Sequence, residues 1–286
     1  MEIFRAPREM QSWAEARRAA GSRLGLVPTM GCLHEGHLSL LRVAREHGCD
    51  TVAATIFVNP TQFGPGEDYD RYPRQEEEDL AMLREAGADA VLLPGVGGIY
   101  PEGFQTFVEV GEVSKGLCGD RRPGHFRGVA TVVLKLLHIG KPHVAVFGEK
   151  DFQQLAVIRR MVADLDLDVE IVGAPIVREP DGLAMSSRNR YLGPEDRAAA
   201  RCLSRALFRA RDLFRAGERK AEALAAAVRK EIEAEARAAL EYAEVRDPDS
   251  LFPVTGRAER MTILVAAKVG PARLIDNITL EGGGTA

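Results

Sequence analysis

The sequence predicts an α/β protein: a Rossmann-like, doubly wound parallel sheet followed by a smaller α+β domain. Three observations carry that expectation. Apolar, β-rich runs alternate with helix-period segments through the first part of the chain; the composition turns to Ala, Arg, Glu and Leu near residue 180; and two strand-like runs follow that helical stretch.

The runs Leu24–Val27, Val52–Val58, Ala90–Leu93 and Val144–Phe147 read as buried strands. Between them, Leu38, Leu41, Val43 and Ala44 mark one helix, residues 75–86 a second and residues 129–139 a third. Leu155, Ile158, Val162 and Leu165 then recur at helical spacing before a run at Val169–Val172. Alternation of this kind gives a mainly parallel sheet with helices on both faces, and its ligands bind beyond the carboxyl ends of the strands where the topology reverses. Segments just after Val27, Val58 and Phe147 are therefore expected to meet there. From Pro194 to Ala239 the pattern reads as two antiparallel helices turning at Ala216-Gly217, followed by strands over residues 240–246 and 261–269. The expected division is 1–178 and 179–286, with the Glu179-Pro180-Asp181-Gly182 turn as a candidate hinge. The Gly-rich tail from Glu281 to Ala286 is expected to fray.

Bulk properties narrow the function. A chain of 286 residues with 45% hydrophobic and 28% charged residues has ample material for a core. Its net charge of −4 and pI near 6.0 give no field that favours a polyanion, so nucleic acid is not an expected partner. Met1-Glu2-Ile3-Phe4-Arg5 has no secretory pattern, and no apolar run approaches the roughly 18–20 residues that a membrane span needs. Cys32, Cys49, Cys118 and Cys202 lie far apart without a C-x-x-C pair, which argues against a zinc site and for reduced thiols in the cytoplasm.

The most informative segment runs from Pro28 to His37, directly after the first long apolar strand and directly before a helix. In it, His34-Glu35-Gly36-His37 places two imidazoles beside the backbone N–H groups of a helix start, where the dipole also favours anions. That combination suits a triphosphate. A pair of surface histidines in a turn is the plainer alternative, and two ligands alone leave a zinc site incomplete. Lys150 sits in Gly148-Glu149-Lys150-Asp151, where a cation at a helix start opposes the dipole and a bound anion would account for it; Asp151 reads as an N-cap. Ser186, Ser187 and Arg188 offer hydroxyls and a planar fork suited to phosphate oxygens, though an ordinary turn has the same composition. Asn59 and Gln62 follow the second strand, so their amides are expected to face the crevice, unless the segment is only an Asn-Pro turn. Asp79, with Glu76 to Glu78, could help hold magnesium, but an acidic first helical turn is stabilising by itself and is the favoured reading. His47, His138 and His143 have no companion motif, and His125 has no assigned step.

The H-x-G-H pattern resembles the first signature of the nucleotidyltransferase superfamily, and Met185-Ser186-Ser187-Arg188 looks like its second. Read together, Pro28-Thr29-Met30-Gly31, Phe57–Phe63, Tyr72-Pro73-Arg74, Arg122–Val129, Phe147–Gln154 and Arg178–Leu192 resemble the pantothenate synthetase family in the family's order. Ala266-Ala267 and Ala272–Asn277 match more loosely.

The resemblance implies a pantoate–β-alanine ligase acting through a pantoyl adenylate, with 1–178 as the catalytic domain and 179–286 as a lid. It implies ATP contacts from Met30, Gly31, Cys32, Leu33, His34, Glu35, Gly36 and His37, from Gly148, Glu149, Lys150 and Asp151, from Val177, and from Met185, Ser186, Ser187 and Arg188. Pantoate would be held by Gln62 and Gln154, and β-alanine by Gln62. His34, His37, Lys150 and Arg188 would carry the chemistry. ATP with Mg2+ is a substrate, no permanently bound cofactor or protein-held metal is expected, and a homodimer is implied. Two other readings stand beside this one: another H-x-G-H nucleotidyltransferase acting on a different small substrate, and a nucleotide-sensing or RNA-binding module on the same fold. The acidic balance and the lack of an aromatic platform weigh against the latter.

Overall fold

Leu24, Leu26 and Val27 lie at most 1% exposed in the middle of a parallel sheet, and the elements that enclose them fix the architecture of the first part of the chain. The computed structural model describes residues 1–282. It separates into two compact units, residues 1–149 with 157–175, and residues 150–156 with 176 onward.

In the first unit the elements run β1 (Glu2–Phe4), α1 (Pro7–Ala19), β2 (Leu24–Thr29), α2 (Glu35–Glu46), β3 (Thr51–Ile56), α3 (Glu76–Glu85), β4 (Ala90–Leu92), α4 (Val96–Ile99), α5 (Leu117–Arg121), α6 (His125–Gly140), β5 (Val144–Gly148), α7 (Phe152–Asp164) and β6 (Glu170–Ala174). Residues of α7 through Ala156 group with the second unit. The sheet order is β1-β4-β3-β2-β5-β6, and every pairing is parallel. The chain builds outward from β2 through β3 to β4, then returns to the other side of β2 for β5 and β6. The topology therefore reverses between β2 and β5, where Gly25 pairs with Val144 and Leu26 with Ala145. A crevice beyond the carboxyl ends of these two strands is the place where such sheets bind ligands. Leu40, Leu41 and Ala44 on α2 recur at helical spacing and pack with Val27, Val52, Val146 and Val172 in one buried cluster.

The second unit continues with α8 (Pro194–Ala200), α9 (Cys202–Arg215), α10 (Ala221–Glu233), β7 (Ala238–Arg246), β8 (Arg260–Val269) and β9 (Ala272–Glu281). Its strands form an antiparallel sheet in the order β7-β8-β9. Leu203, Leu207, Leu224 and Val228 of the helices share a core with Ile263, Val265 and Ala267 of β8.

The α/β class with a smaller α+β unit is what the sequence predicts. Differences lie in the elements. Where two helices are expected over residues 194–239 there are three, because the chain bends at Arg201 while keeping helical dihedrals (φ −64°, ψ −13°), so no Gly or Pro marks the break. The expected turn at Ala216-Gly217 is present, with Gly217 at φ 105°. β1, only three residues long at the sheet edge, and β9 are not among the expected strands. Glu281 of the expected frayed tail closes β9 opposite Arg260, and residues 283–286 lie outside the described residues. Glu179–Gly182, the candidate hinge, is the tip of a tight hairpin in the second unit, with Glu179 N–H donating to Leu183 O at 2.8 Å and Gly182 N–H to Glu179 O at 2.8 Å.

Candidate active site

The loop leaving β2 is shaped by one carboxylate. Asp79, 1% exposed on the first turn of α3, accepts from the Cys32 backbone N–H at Oδ2 and from the Leu33 N–H at Oδ1, both at 2.8 Å. This two-point grip holds Gly31 (φ 79°) and Cys32 (φ 51°) in consecutive left-handed conformations, which cost a non-glycine residue free energy unless the surroundings impose them. A side chain at position 31 would meet Asp79 Oδ2 at 2.8 Å and Ile56 Cγ2 at 2.9 Å, so glycine is required there on two counts. Asp79 is thus a loop anchor with both oxygens engaged, in keeping with its structural reading.

His34 is the N-cap of α2, extended at φ −151° and ψ 173°. Its backbone N–H points at Nδ1 of His37, 3.3 Å away, and its carbonyl accepts from the His37 N–H at 2.7 Å. Because Nδ1 of His37 accepts from an amide, the ring proton of the neutral imidazole sits on Nε2. His37 is therefore a donor from its far nitrogen, held at the first turn of a 12-residue helix. The two rings lie 4.0 Å apart, centroid to centroid.

After β3 a short 3-10 turn, Pro60–Gln62, presents Gln62. Asn59, 1% exposed, does not face the crevice as expected but turns inward. Its Oδ1 accepts from the Thr61 backbone N–H at 3.3 Å and from the Tyr100 hydroxyl at 2.8 Å, while its Nδ2 donates to Gly128 O at 3.2 Å and to Gln62 Oε1 at 3.0 Å. A backbone donor on one side and a backbone acceptor on the other settle which way the Asn59 amide faces, and so fix Gln62 as well. Burial raises the Tyr100 hydroxyl above its ordinary pKa, with bonds to Thr61 and Asn59 opposing, so it stays protonated and able to donate. Gln62 is left with its Nε2 donors turned toward Met30, whose Sδ is 3.3 Å away.

Replacing Asn59 by Asp keeps the bonds at Oδ1, from the Thr61 N–H and hydroxyl and from Tyr100, and sets an acceptor against Gly128 O and Gln62 Oε1. If Gln62 holds pantoate, as the resemblance implies, pantoate affinity measured by titration falls roughly 10- to 100-fold, while ATP affinity stays near that of the parent protein. Unchanged pantoate affinity would show that Asn59 does not orient Gln62.

Beneath this turn lies a network that sequence reading leaves unassigned. His125, 8% exposed, directs Nδ1 to the Gln62 carbonyl at 2.8 Å and receives Arg122 Nη1 at Nε2, 3.0 Å away. Arg122 also grips both oxygens of Glu67 at 2.6 Å. Burial pushes the Glu67 carboxyl up, but the bonds and charge of Arg122 outweigh it and hold its pKa below the ordinary value. His125 is thus a brace under the Gln62 main chain. Of the remaining histidines, His143 accepts the Leu24 N–H at 2.9 Å and His47 meets Glu170, both in structural positions.

The first unit accordingly brings Met30–His37 and Gln62 together at the end of β2, with Gly148 and Glu149 at the end of neighbouring β5. In the second unit, Lys150 is 3.1 Å from Asp151, and its carbonyl accepts from Asn277 Nδ2 at 3.0 Å. Gln154 is half-buried on α7. Val177 O accepts from the Met185 N–H at 3.0 Å across a hairpin, and Ser186 caps the following 3-10 turn Ser187–Tyr191 by accepting from the Arg188 N–H at 3.3 Å. No group of three or more His, Cys, Asp or Glu suited to a metal ion occurs among the described residues.

A family model described as pantoate-β-alanine ligase matches residues 2–279. The chain belongs to the pantoate–β-alanine ligase family. It is 52% identical over 280 residues to the pantothenate synthetase of Geobacter sulfurreducens, covering 98% of this chain and 99% of that one. The Myxococcus xanthus pantothenate synthetase is 55% identical over 283 residues, covering 98% and 96%. Among solved structures, the pantothenate synthetase of Thermus thermophilus superposes with a TM-score of 0.91 at 46% identity, covering 97% of this chain and 99% of that one. The pantoate–β-alanine ligase of Francisella tularensis, solved in complex with β-γ ATP and β-alanine, gives 0.78 at 34% identity with 97% of both chains covered.

The Asp79 grip, the Asn59 relay and the His125 brace each fix a segment on which the sequence analysis expects a substrate contact. Sequence reasoning missed Asn59, Tyr100 and Arg122 as supporting residues, since their partners lie far along the chain. For Asn59 and Arg122 the available signal was their placement inside the recurring segments, whereas Tyr100 lies outside all of them.

Proposed function

We propose that the chain condenses pantoate with β-alanine at the expense of ATP, through a pantoyl adenylate, giving pantothenate, AMP and pyrophosphate. The family match over residues 2–279 is the observation that carries this reading. Carboxylates do not acylate amines at neutral pH because oxide is a poor leaving group, so the carboxylate must first become a mixed anhydride. In the proposed first step the pantoate carboxylate attacks the α-phosphate and pyrophosphate leaves. In the second the β-alanine amine attacks the acyl carbon and AMP leaves.

The work assigned to the protein is positioning and charge neutralisation. His37, with its proton on Nε2, and His34 face the triphosphate at the α2 start, where N–H groups and the helix dipole favour anions. Lys150, Ser186, Ser187 and Arg188 are assigned to the same nucleotide, as are Met30 to Gly36, Gly148, Glu149, Asp151, Val177 and Met185. Gln62 and Gln154 are assigned to pantoate. Because Gln62 Oε1 is committed to Asn59, Gln62 offers donors only, which matches the hydroxyl and carboxylate oxygens of pantoate. Neutral donors orient that carboxylate without the strong pairing that would blunt it as a nucleophile. Gln62 is also assigned to β-alanine. Mg2+ is proposed to arrive with ATP, since both oxygens of Asp79 are spent on backbone.

A homodimer is proposed on the family resemblance. The buried thiols of Cys32, Cys49, Cys118 and Cys202 suit a reducing, ATP-containing compartment, so the cytoplasm is the proposed location.

Labelled pyrophosphate should exchange into ATP with pantoate as the only other substrate. Exchange that needed β-alanine, in a protein that makes pantothenate, would exclude the adenylate route. Failure of both exchange and synthesis with pantoate would favour a different substrate on the same scaffold.

A further inference from the structure

The segment Ala272–Asn277 matches the family only loosely in sequence, and nothing in the proposed reaction uses it. In the second unit it lies on β9, where two consecutive buried polar residues each reach a segment assigned to ATP. Asp276 is 3% exposed, and both its oxygens are held by the Arg178 guanidinium, Nη1 to Oδ2 at 2.7 Å and Nη2 to Oδ1 at 2.9 Å. Such a two-point fork fixes orientation as well as distance. Nη1 of Arg178 also donates to Gly182 O at 3.1 Å, and the guanidinium carbon lies 5.1 Å from the Phe208 ring centroid. Arg178 therefore clamps both arms of the hairpin in which residue 178 bridges Ala184. Val177 and Met185 are the next residues outward on those arms, and Ser186 to Arg188 follow directly.

Asn277, 5% exposed, sends its Nδ2 to the main-chain carbonyl of Lys150, 127 residues earlier. Its own N–H donates to Asp276 Oδ1 at 2.8 Å, which ties the two residues to one another. Lys150 lies in a 3-10 turn, Glu149–Asp151, where the backbone direction decides where a long flexible side chain points. Two stretches remote in sequence, Lys150 and Val177–Arg188, are thus both hung from one strand.

We propose that Asp276 and Asn277 are positioning residues for ATP: Asn277 sets the Lys150 main chain and hence the aim of its ammonium, and Asp276, through Arg178, sets the hairpin that presents Met185 to Arg188. The inference rests on the assignment of those stretches to ATP and adds that their mutual arrangement is held from β9. Simple stabilisation is a weaker account of the pair, because a buried ion pair can be replaced by apolar residues of similar volume with little loss of stability.

Three variants test it, each assayed by pantoate-dependent pyrophosphate exchange, by release of pantothenate from preformed pantoyl adenylate with β-alanine, and by melting. Lys150→Ala first checks the underlying assignment and should impair exchange. Asn277→Ala should raise the KM for ATP, or lower the exchange rate at saturating ATP, roughly tenfold, with the KM for pantoate and for β-alanine unchanged. The double variant Arg178→Met with Asp276→Leu should melt near the parent temperature and show the same ATP-specific defect. A role confined to stability would instead lower the melting temperature and the active fraction while leaving every KM alone. Parent-like ATP kinetics in Asn277→Ala, beside a clear defect in Lys150→Ala, would overturn the proposal and leave the ATP assignment standing. Parent-like kinetics in Lys150→Ala as well would remove the ATP assignment itself.

Discussion

Replacing His37 by alanine should cut pantoate-dependent pyrophosphate exchange by roughly 10²-fold or more, the scale for losing one donor aimed at developing charge. The Nδ1 atom of this ring accepts the His34 N–H, so Nε2 is the atom that carries the proton. Loss of the ring also removes an acceptor at the helix start, and that alone could be blamed for the defect. His37→Gln separates the two. A glutamine at the third helical position can still reach back to the N-cap N–H, as in a capping box, but places no imidazole at the phosphates. Its melting temperature should return toward that of the parent while exchange stays low. Parent-like exchange in a folded His37→Ala protein would remove His37 from the chemistry.

Gly128→Ala is expected to be of comparable size, and its cause is steric. On α6 the added methyl would stand 2.3 Å from Thr61 O, 2.5 Å from Thr61 C and 2.7 Å from Gln62 N, all of them backbone atoms. No side-chain rotation relieves contacts with main chain, so the turn carrying Gln62 must move by on the order of 1 Å, a displacement that can cost about 10²-fold in rate. The same shift breaks the Asn59 bond to Gly128 O, and overpacking adds roughly 1–3 kcal/mol of destabilisation. Pantoate KM and the rate of exchange should both suffer, with ATP affinity spared. A Gly128→Ala protein that bound pantoate as the parent does would show that α6 can retreat instead.

Much of this arrangement is legible in the sequence because it is local. The H-x-G-H segment announces itself by following a strand and opening a helix, and β2, β3, β4 and β5 stand out as apolar runs. What stays hidden is non-local or weakly patterned. Asn59 reads as facing the crevice because nothing near it reveals that Gly128 and Tyr100 close around it. The break at Arg201 leaves no residue signature, since its dihedrals remain helical. β1 is too short to show alternation, and the function of Asp276 depends on Arg178, 98 residues away. Asp79 can be favoured as structural from its place in a helical first turn, but its targets cannot be named from sequence.

The grip of Asp79 on the loop after β2 also bears on the order in which the protein acquires its parts. The donors are Cys32 and Leu33, and the acceptor follows 46 to 47 residues later. Until α3 has left the ribosome and folded, the grip of Asp79 on Cys32 and Leu33 is missing, and a chain ending before Asp79 lacks those two bonds to offset the entropy of closing that loop. β2 must likewise wait for β5, about 120 residues further on, to gain its second neighbour. The loop after β2, first among the proposed site segments to be synthesised, thus reaches its final surroundings only after β5 has been made. On the proposed assignment of ATP to this loop, nascent chains halted between β2 and α3 should be unable to retain the nucleotide there, whereas chains extended past β5 gain the grip that shapes it.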